Sequence, residues 1–287
     1  MFMTLKQTQS QTSPDSHGKI MSPPIVIVAA TETELRSFFP FVDLLCERAN
    51  RIPTFDGRTG SRDVVLASTG VGKANAALTT FWLLEEQRHA GRPAQLVVQT
   101  GCCGAFPDSG LETGDVVIGT RAIFADEGVT TPTGFLDMRT LGLPLAEDHD
   151  GNPVFNEIPL FTPALEISSH EADVRQALPS DLKPPRRHFN LKRGPIATIS
   201  TCSGSDRQAA AVSERWRPLA ESMEGAATAL AALRAGCPCM EVRGVSNRVG
   251  DRDRAAWDID RACANAASTV AAIIGNLEVG SRKGESK

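Results

Sequence analysis

Several stretches of the chain are apolar at nearly every position rather than at every second one: Ile25-Val26-Ile27-Val28-Ala29-Ala30, Val64-Val65-Leu66-Ala67-Ser68, Leu96-Val97-Val98-Gln99-Thr100 and Ile196-Ala197-Thr198-Ile199-Ser200. Unalternating runs rich in β-branched residues mark strands covered on both faces, as in a parallel sheet held between helical layers. Shorter runs at 114–119 and 122–125, and the stretch 241–248, predict further strands. Helices are predicted over 35–45, from the turn at 69–72 to about 87, over 163–178 and 206–216, in the Ala-rich stretch 226–235, and over 260–277. Gly236 and Pro238 stop the Ala-rich helix.

Strand and helix alternate, which predicts the α/β class in a single domain over 23–279. The polar segments 1–22 and 280–287 read as disordered tails, and Met21 is a candidate natural start. Periodicity is lost over 130–190, where Pro, Thr and Gly collect. So long an irregular stretch in a compact domain predicts a lid or a subunit contact.

Composition removes several functional classes. A chain of 287 residues that is 41% hydrophobic can bury a sizeable core. Its net charge is -4 and it holds no basic run to track a phosphate backbone, which argues against nucleic acid as a partner. No apolar run reaches membrane-spanning length, so no membrane partner is expected. Seven cysteines, an odd number without a secretory leader, predict reduced thiols in the cytoplasm. Neither Cys237-Pro-Cys239 nor Cys102-Cys103 has the CxxC spacing, and no His lies near them. No metal and no cofactor is expected.

Chemistry concentrates at predicted strand ends, where open α/β sheets bind ligands. Glu221-Ser222-Met223-Glu224-Gly225 places two carboxylates at the start of the Ala-rich helix, and the strand after it delivers Ser246 and Asn247. Thr31 and Glu34 have the spacing of a capping box, yet Glu34 also sits at the end of the first strand; structural and functional roles can coexist. Gly70-Val71-Gly72-Lys73 looks like a phosphate loop but fails its spacing, and Ala74 stands where Ser or Thr is required. A tight strand-to-helix turn is the simpler reading. Gly101-Cys102-Cys103-Gly104 reads as a loop permitting close backbone approach to a ligand, or as a packing turn. Asp126-Glu127 has no purpose assignable from pattern.

These segments together resemble the nucleoside phosphorylase and nucleosidase superfamily. Members carry a Met-Glu at a helix start, here Met223-Glu224, and Ser-Asp or Ser-Asn after a strand, here Ser246-Asn247. The segments 29–34, 69–73, 101–104, 114–117 and 126–127 follow the family's order and approximate spacing. Within the superfamily, 246–253 and 124–129 look most like the futalosine hydrolases of an alternative menaquinone pathway. Cys102 and Cys103 depart from the family's usual Ser, Ala or Gly.

The resemblance implies a central mixed twisted sheet flanked by helices, a homo-oligomer, a small nucleoside substrate and no cofactor. It further implies cleavage of an N-glycosidic bond through an oxocarbenium-like cation. On that reading Glu34 activates water, Glu224 accepts hydrogen bonds from the ribose hydroxyls, and Asn247 reads the base. Met223, Ser222, Cys103, Gly104, Thr201, Cys202 and Arg248 would bind substrate, with Arg248 and the 130–162 segment candidates for a 5′-side carboxylate.

An Asn at 247 in place of the Asp of adenine-releasing members offers an uncharged NH2 donor and an acceptor, which suits a 6-oxopurine and predicts hypoxanthine as leaving group. Acidic residues in the first turn would repel a phosphate dianion, which predicts hydrolysis rather than phosphorolysis. A 6-oxopurine nucleoside phosphorylase, a methylthioadenosine/S-adenosylhomocysteine nucleosidase and a non-catalytic nucleoside-binding protein remain alternatives.

Overall fold

The computed structural model describes residues 22–49, 51–163, 189–250 and 253–277. Both expected tails, apart from Ser22, and the helix expected over 163–178, apart from Pro163, lie outside the described residues. In chain order the elements are β1 (Ile25–Ala29), α1 (Glu32–Arg36), β2 (Asp43–Glu47), β3 (Thr54–Thr59), β4 (Arg62–Ser68), α2 (Lys73–His89), β5 (Leu96–Ala105), β6 (Val116–Phe124), β7 (Gly128–Thr131) and β8 (Gly134–Asp137). They continue as β9 (Ala146–Glu147), β10 (Pro153–Val154), β11 (Glu157–Pro159), β12 (Leu191–Thr198), α3 (Asp206–Trp216), β13 (Ala220–Ser222), α4 (Gly225–Arg234), β14 (Cys239–Arg248) and α5 (Ile259–Asn276).

β1 is buried at every position because it lies between two parallel neighbours, β4 and β5, with helices on both faces. Its alternate side chains enter two different cores. Ile25 and Ile27 pack with Leu66, Val98, Met240 and Ile273, the last from α5, whereas Val26 and Val28 pack with Val65, Val97, Leu83 of α2 and Ala229 of α4. The small side chains of α4, Ala226, Ala227, Ala229 and Ala232 among them, let this helix lie close to the sheet and α2. β14 hydrogen-bonds β5 on one side and β6 on the other, and thereby closes β5, β14, β6, β12 and β13 into a ring. The sheet is mixed: β1, β4, β5 and β14 run parallel, while β3 and β6 meet β4 and β14 antiparallel.

Four expectations need correction. The helix expected over 35–45 is the five-residue α1, followed by a 3-10 turn at Phe39–Phe41 and then β2. Pro40 has no N–H to donate to a helical hydrogen bond; it is tolerated in the first turn of the 3-10 segment and could not sit inside a continuous helix over 35–45. Gly101-Cys102-Cys103-Gly104 is not a loop but the second half of β5, which leaves β1 after Gln99 and pairs β13 from Gly104. Gly101, at φ 132°, sits where that change of partner begins. The two strands expected at 114–119 and 122–125 are one, β6, whose partner β12 absorbs an irregularity at Gly194–Ile196. The region from 130 carries short β-pairs, with β11 completing the sheet edge beside β6. β2 and β3 were not anticipated; β2 is exposed throughout and β3, though largely buried, mixes Thr, Asp, Gly and Arg with one Phe, so neither shows a continuous apolar run. The helix 206–216 falls where its periodicity places it.

Candidate active site

Glu34 forms both halves of the capping box with Thr31. Its Oε2 accepts from the Thr31 N–H at 2.9 Å and the Thr31 hydroxyl at 3.0 Å, while Oε1 accepts from the Cys102 N–H at 3.0 Å. A Cβ on Gly101 would stand 2.4 Å from Glu34 Oε1, so the strand can approach this carboxylate only with glycine there. The local device that starts a helix therefore also fixes a buried acid at the end of β1.

Glu224 is the N-cap of α4, yet its side chain does not cap the helix. The Thr198 hydroxyl accepts from Ala226 N–H at 2.8 Å instead. Glu224 reaches the other way: Oε1 accepts from the Gly72 N–H at 3.0 Å and Oε2 meets Arg243 Nη2 at 3.2 Å. Gly72, with φ 93°, offers that N–H from the tight turn before α2. The sequence that mimics a phosphate loop thus holds a carboxylate.

Arg243 is 1% exposed and also contacts Glu241 at 3.0 Å and the Cys102 carbonyl at 3.3 Å. Burial works against its charge, but Glu241, Glu224 and Glu34 outweigh burial and raise its pKa. Burial likewise pushes the Glu241 carboxyl above its ordinary value, and Arg243 and the Ser222 hydroxyl offset this only in part. One Glu241 oxygen has no hydrogen-bond partner. Two carboxylates share one guanidinium, so the cluster carries excess negative charge.

Glu34 and Glu224 face a cavity of about 280 Å³ at the carboxyl ends of the parallel strands, with Arg243 and Glu241 behind its wall. Of the residues singled out in the sequence, Glu34, Glu224, Asn247, Met223, Ser222, Cys103, Gly104 and Cys202 line it. Thr201 and Arg248 do not. Thr201 is exposed beside Cys202, and Arg248 is turned outward to Asp206 at 3.3 Å. Val71, Val249, Trp257 and Ile259 add apolar wall. Among the described residues that line the cavity, none is Lys, Arg or His.

Asn247 Oδ1 accepts from the Ser246 hydroxyl at 2.8 Å, and Nδ2 donates to the Arg248 carbonyl at 2.9 Å. One Nδ2 proton and one Oδ1 lone pair remain for a ligand. Lys73 pairs with Asp126 and, at 3.0 Å, with Glu127, while Asp126 accepts from Ser200 N–H at 2.6 Å. That accounts for the acidic pair as a clamp between α2 and the loop after β6. Arg36 is exposed and paired with Glu32.

Sequence reasoning gave no separate role to Arg243 or Glu241. Their signal was available: two ionisable residues in the otherwise apolar first part of the strand, at positions the fold buries completely.

The α/β fold brings anchored carboxylates, a carboxamide and apolar walls together at its strand ends, the arrangement of an enzyme pocket. The chain belongs to the phosphorylase superfamily, whose family model matches residues 24–277. It is an N-ribosyl hydrolase of the nucleosidase type. It is 35% identical over 214 residues to a futalosine hydrolase of Streptomyces coelicolor, covering 74% of this chain and 79% of the relative. It is 33% identical over 204 residues to a futalosine hydrolase of Acidothermus cellulolyticus, covering 70% of each. The crystal structure of an S-adenosylhomocysteine nucleosidase from Streptococcus pyogenes in complex with 5-methylthiotubericidin superposes with TM-score 0.69 at 27% identity, over 91% of this chain and 100% of that one. Among the described residues no helix is long and apolar enough to cross a membrane.

Proposed function

We propose that the chain hydrolyses the N-glycosidic bond of futalosine and releases hypoxanthine, a step of menaquinone biosynthesis carried out in the cytoplasm. The observation that carries this reading is a cavity with two independently anchored carboxylates, a carboxamide at the strand end and no cation among its described lining residues. Phosphorolysis would require a cationic cradle for a dianion. Here Lys73 and Arg36 are held in ion pairs away from the cavity, and Arg243 is neutralised by Glu224 and Glu241.

In the reaction a water attacks C1′ as the bond to the base breaks, and its proton passes to Glu34. Glu224, braced by Gly72 and Arg243, accepts hydrogen bonds from the ribose hydroxyls and stabilises the cationic sugar. Met223 supplies an adaptable apolar surface to the ring. Negative charge growing on the base is met by the free Nδ2 proton of Asn247, and the departed base takes a proton from solvent while Glu34 returns its own to solvent. A hollow of about 480 Å³ lined by Arg254, Asp258 and Asp260 adjoins the cavity through Trp257 and Ile259, and Arg254 is the cation among its described lining residues. Arg254 replaces Arg248 as our candidate for the 5′-side carboxylate.

The second reading, a methylthioadenosine/S-adenosylhomocysteine nucleosidase, is favoured by the likeness to the streptococcal structure. Asn247 speaks against it, since adenine release is better served by an acid there. Leu78, Phe81 and Trp82 form an exposed apolar stripe at i, i+3, i+4 on α2, which supports a homo-oligomeric enzyme. Purified protein incubated with futalosine, with and without phosphate, should release hypoxanthine equally in both. Release only with phosphate, or release of adenine from methylthioadenosine in preference, overturns the assignment.

A further inference from the structure

Glu34, Cys102 and Cys263 come from three different segments, α1, β5 and α5, yet one ligand atom from each lies within 4.8 Å of the others. The convergence has a structural cause. Gly244 of β14 stands in register with Cys102 of β5, and a Cβ on Gly244 would be 1.9 Å from the Ala262 carbonyl. Only glycine lets α5 press this closely on the sheet, which carries Cys263 to Cys102. Cys263 is buried, Cys102 half-buried at the cavity wall, and Glu34 buried.

We propose that these three side chains bind a thiophilic divalent cation, with Zn2+ as the representative ion, and that its binding silences the cavity. Tetrahedral zinc takes thiolate sulfur at about 2.3 Å and carboxylate oxygen at about 2.0–2.2 Å, so its ligand atoms stand roughly 3.5–3.8 Å apart. The three groups close from within 4.8 Å to that spacing, and the Glu34 oxygen that turns to the metal exchanges a hydrogen bond from Thr31 or Cys102 for it. Cys102 and Glu34 face the cavity, from which a water supplies the fourth ligand.

The thiols release their two protons to solvent as the metal binds. Arg243, which donates to the Cys102 carbonyl at 3.3 Å, is already balanced by Glu224 and Glu241. Coordination withdraws Glu34 from the water it would activate. That inhibitory consequence rests on the hydrolase reading; the metal site itself does not.

The test uses the full chain without a histidine tag, kept reduced by a phosphine and freed of metal by a chelator. Calorimetric titration should show one Zn2+ per chain, and Co2+ should give a thiolate-to-cobalt charge-transfer band. Turnover should fall with Zn2+, not with Mg2+, and return on chelation. Cys263→Ser should keep basal turnover. Losing even a supporting partner of a metal ligand costs about 10–100-fold in affinity, so this variant should bind Zn2+ at least that much more weakly. Equal zinc affinity in wild type and Cys263→Ser, absence of the cobalt band, or inactivation reversed by reductant but not chelator, which marks a Cys102–Cys263 disulfide, overturns the proposal. Zinc binding and the cobalt band report on the site even if hydrolase activity is absent.

Discussion

Two acid-rich clusters lie at the same end of the sheet and do opposite things with their charge. In the Lys73–Asp126–Glu127 cluster each acid meets a lysine, and Asp126 and Glu127 are 36% and 42% exposed, so solvent screens the pairs. In the cavity, Glu34 and Glu224 are buried and held largely by backbone N–H groups, which orient a carboxylate without cancelling its charge. Arg243 is shared between two acids and leaves the cluster negative. The first arrangement fastens a loop. The second keeps negative charge beside a site where a cationic sugar would form.

The largest effects that would break this contrast lie in the cavity. Glu34→Gln should lower kcat by about 10²–10⁴ with little change in KM, the range for loss of a general base. Glu224→Gln should lower kcat and raise KM together, because the ribose contacts exist in ground and transition states alike. Steady-state kinetics on purified variants measures both. Arg243→Met should cost about 3–5 kcal/mol of stability in denaturant titration, since it leaves two buried carboxylates without their cation.

Glu241 sharpens the comparison through pH. Its pKa is raised, so the folded chain holds this proton more tightly than the unfolded one. The stability it contributes is full below the ordinary value of 4.5 and is lost as pH rises through the folded-state value. Glu241→Gln, which cannot ionise, should remove that fall, and unfolding curves taken across this window for both proteins should diverge. Parallel curves would show the carboxyl to be unperturbed. The smallest effect belongs to the loop clamp: Lys73→Met should change stability by about 1 kcal/mol or less and leave turnover essentially intact.

The carboxylates of the site were readable in sequence because local rules place them. Thr31 and Glu34 form a capping box after a buried strand, and Glu224 opens a helix that Gly236 ends. What tertiary pairing decides was not readable. That Gly101–Gly104 continues a strand depends on β13 and β14 flanking it, residues more than a hundred positions away. That Arg248 faces Asp206 rather than the cavity depends on the start of α3. Glu241 and Arg243 become a network only because β14 is buried between β5 and β6. Helix 35–45 failed on a local rule that was present in the sequence, the proline at 40.

The central claim is that water is the nucleophile, with Glu34 as its base. Turnover of futalosine in isotopically labelled water with phosphate present tests it most directly. The account predicts one labelled oxygen on the anomeric carbon of the released sugar and no sugar 1-phosphate. Accumulation of the sugar 1-phosphate without label at that carbon would contradict it.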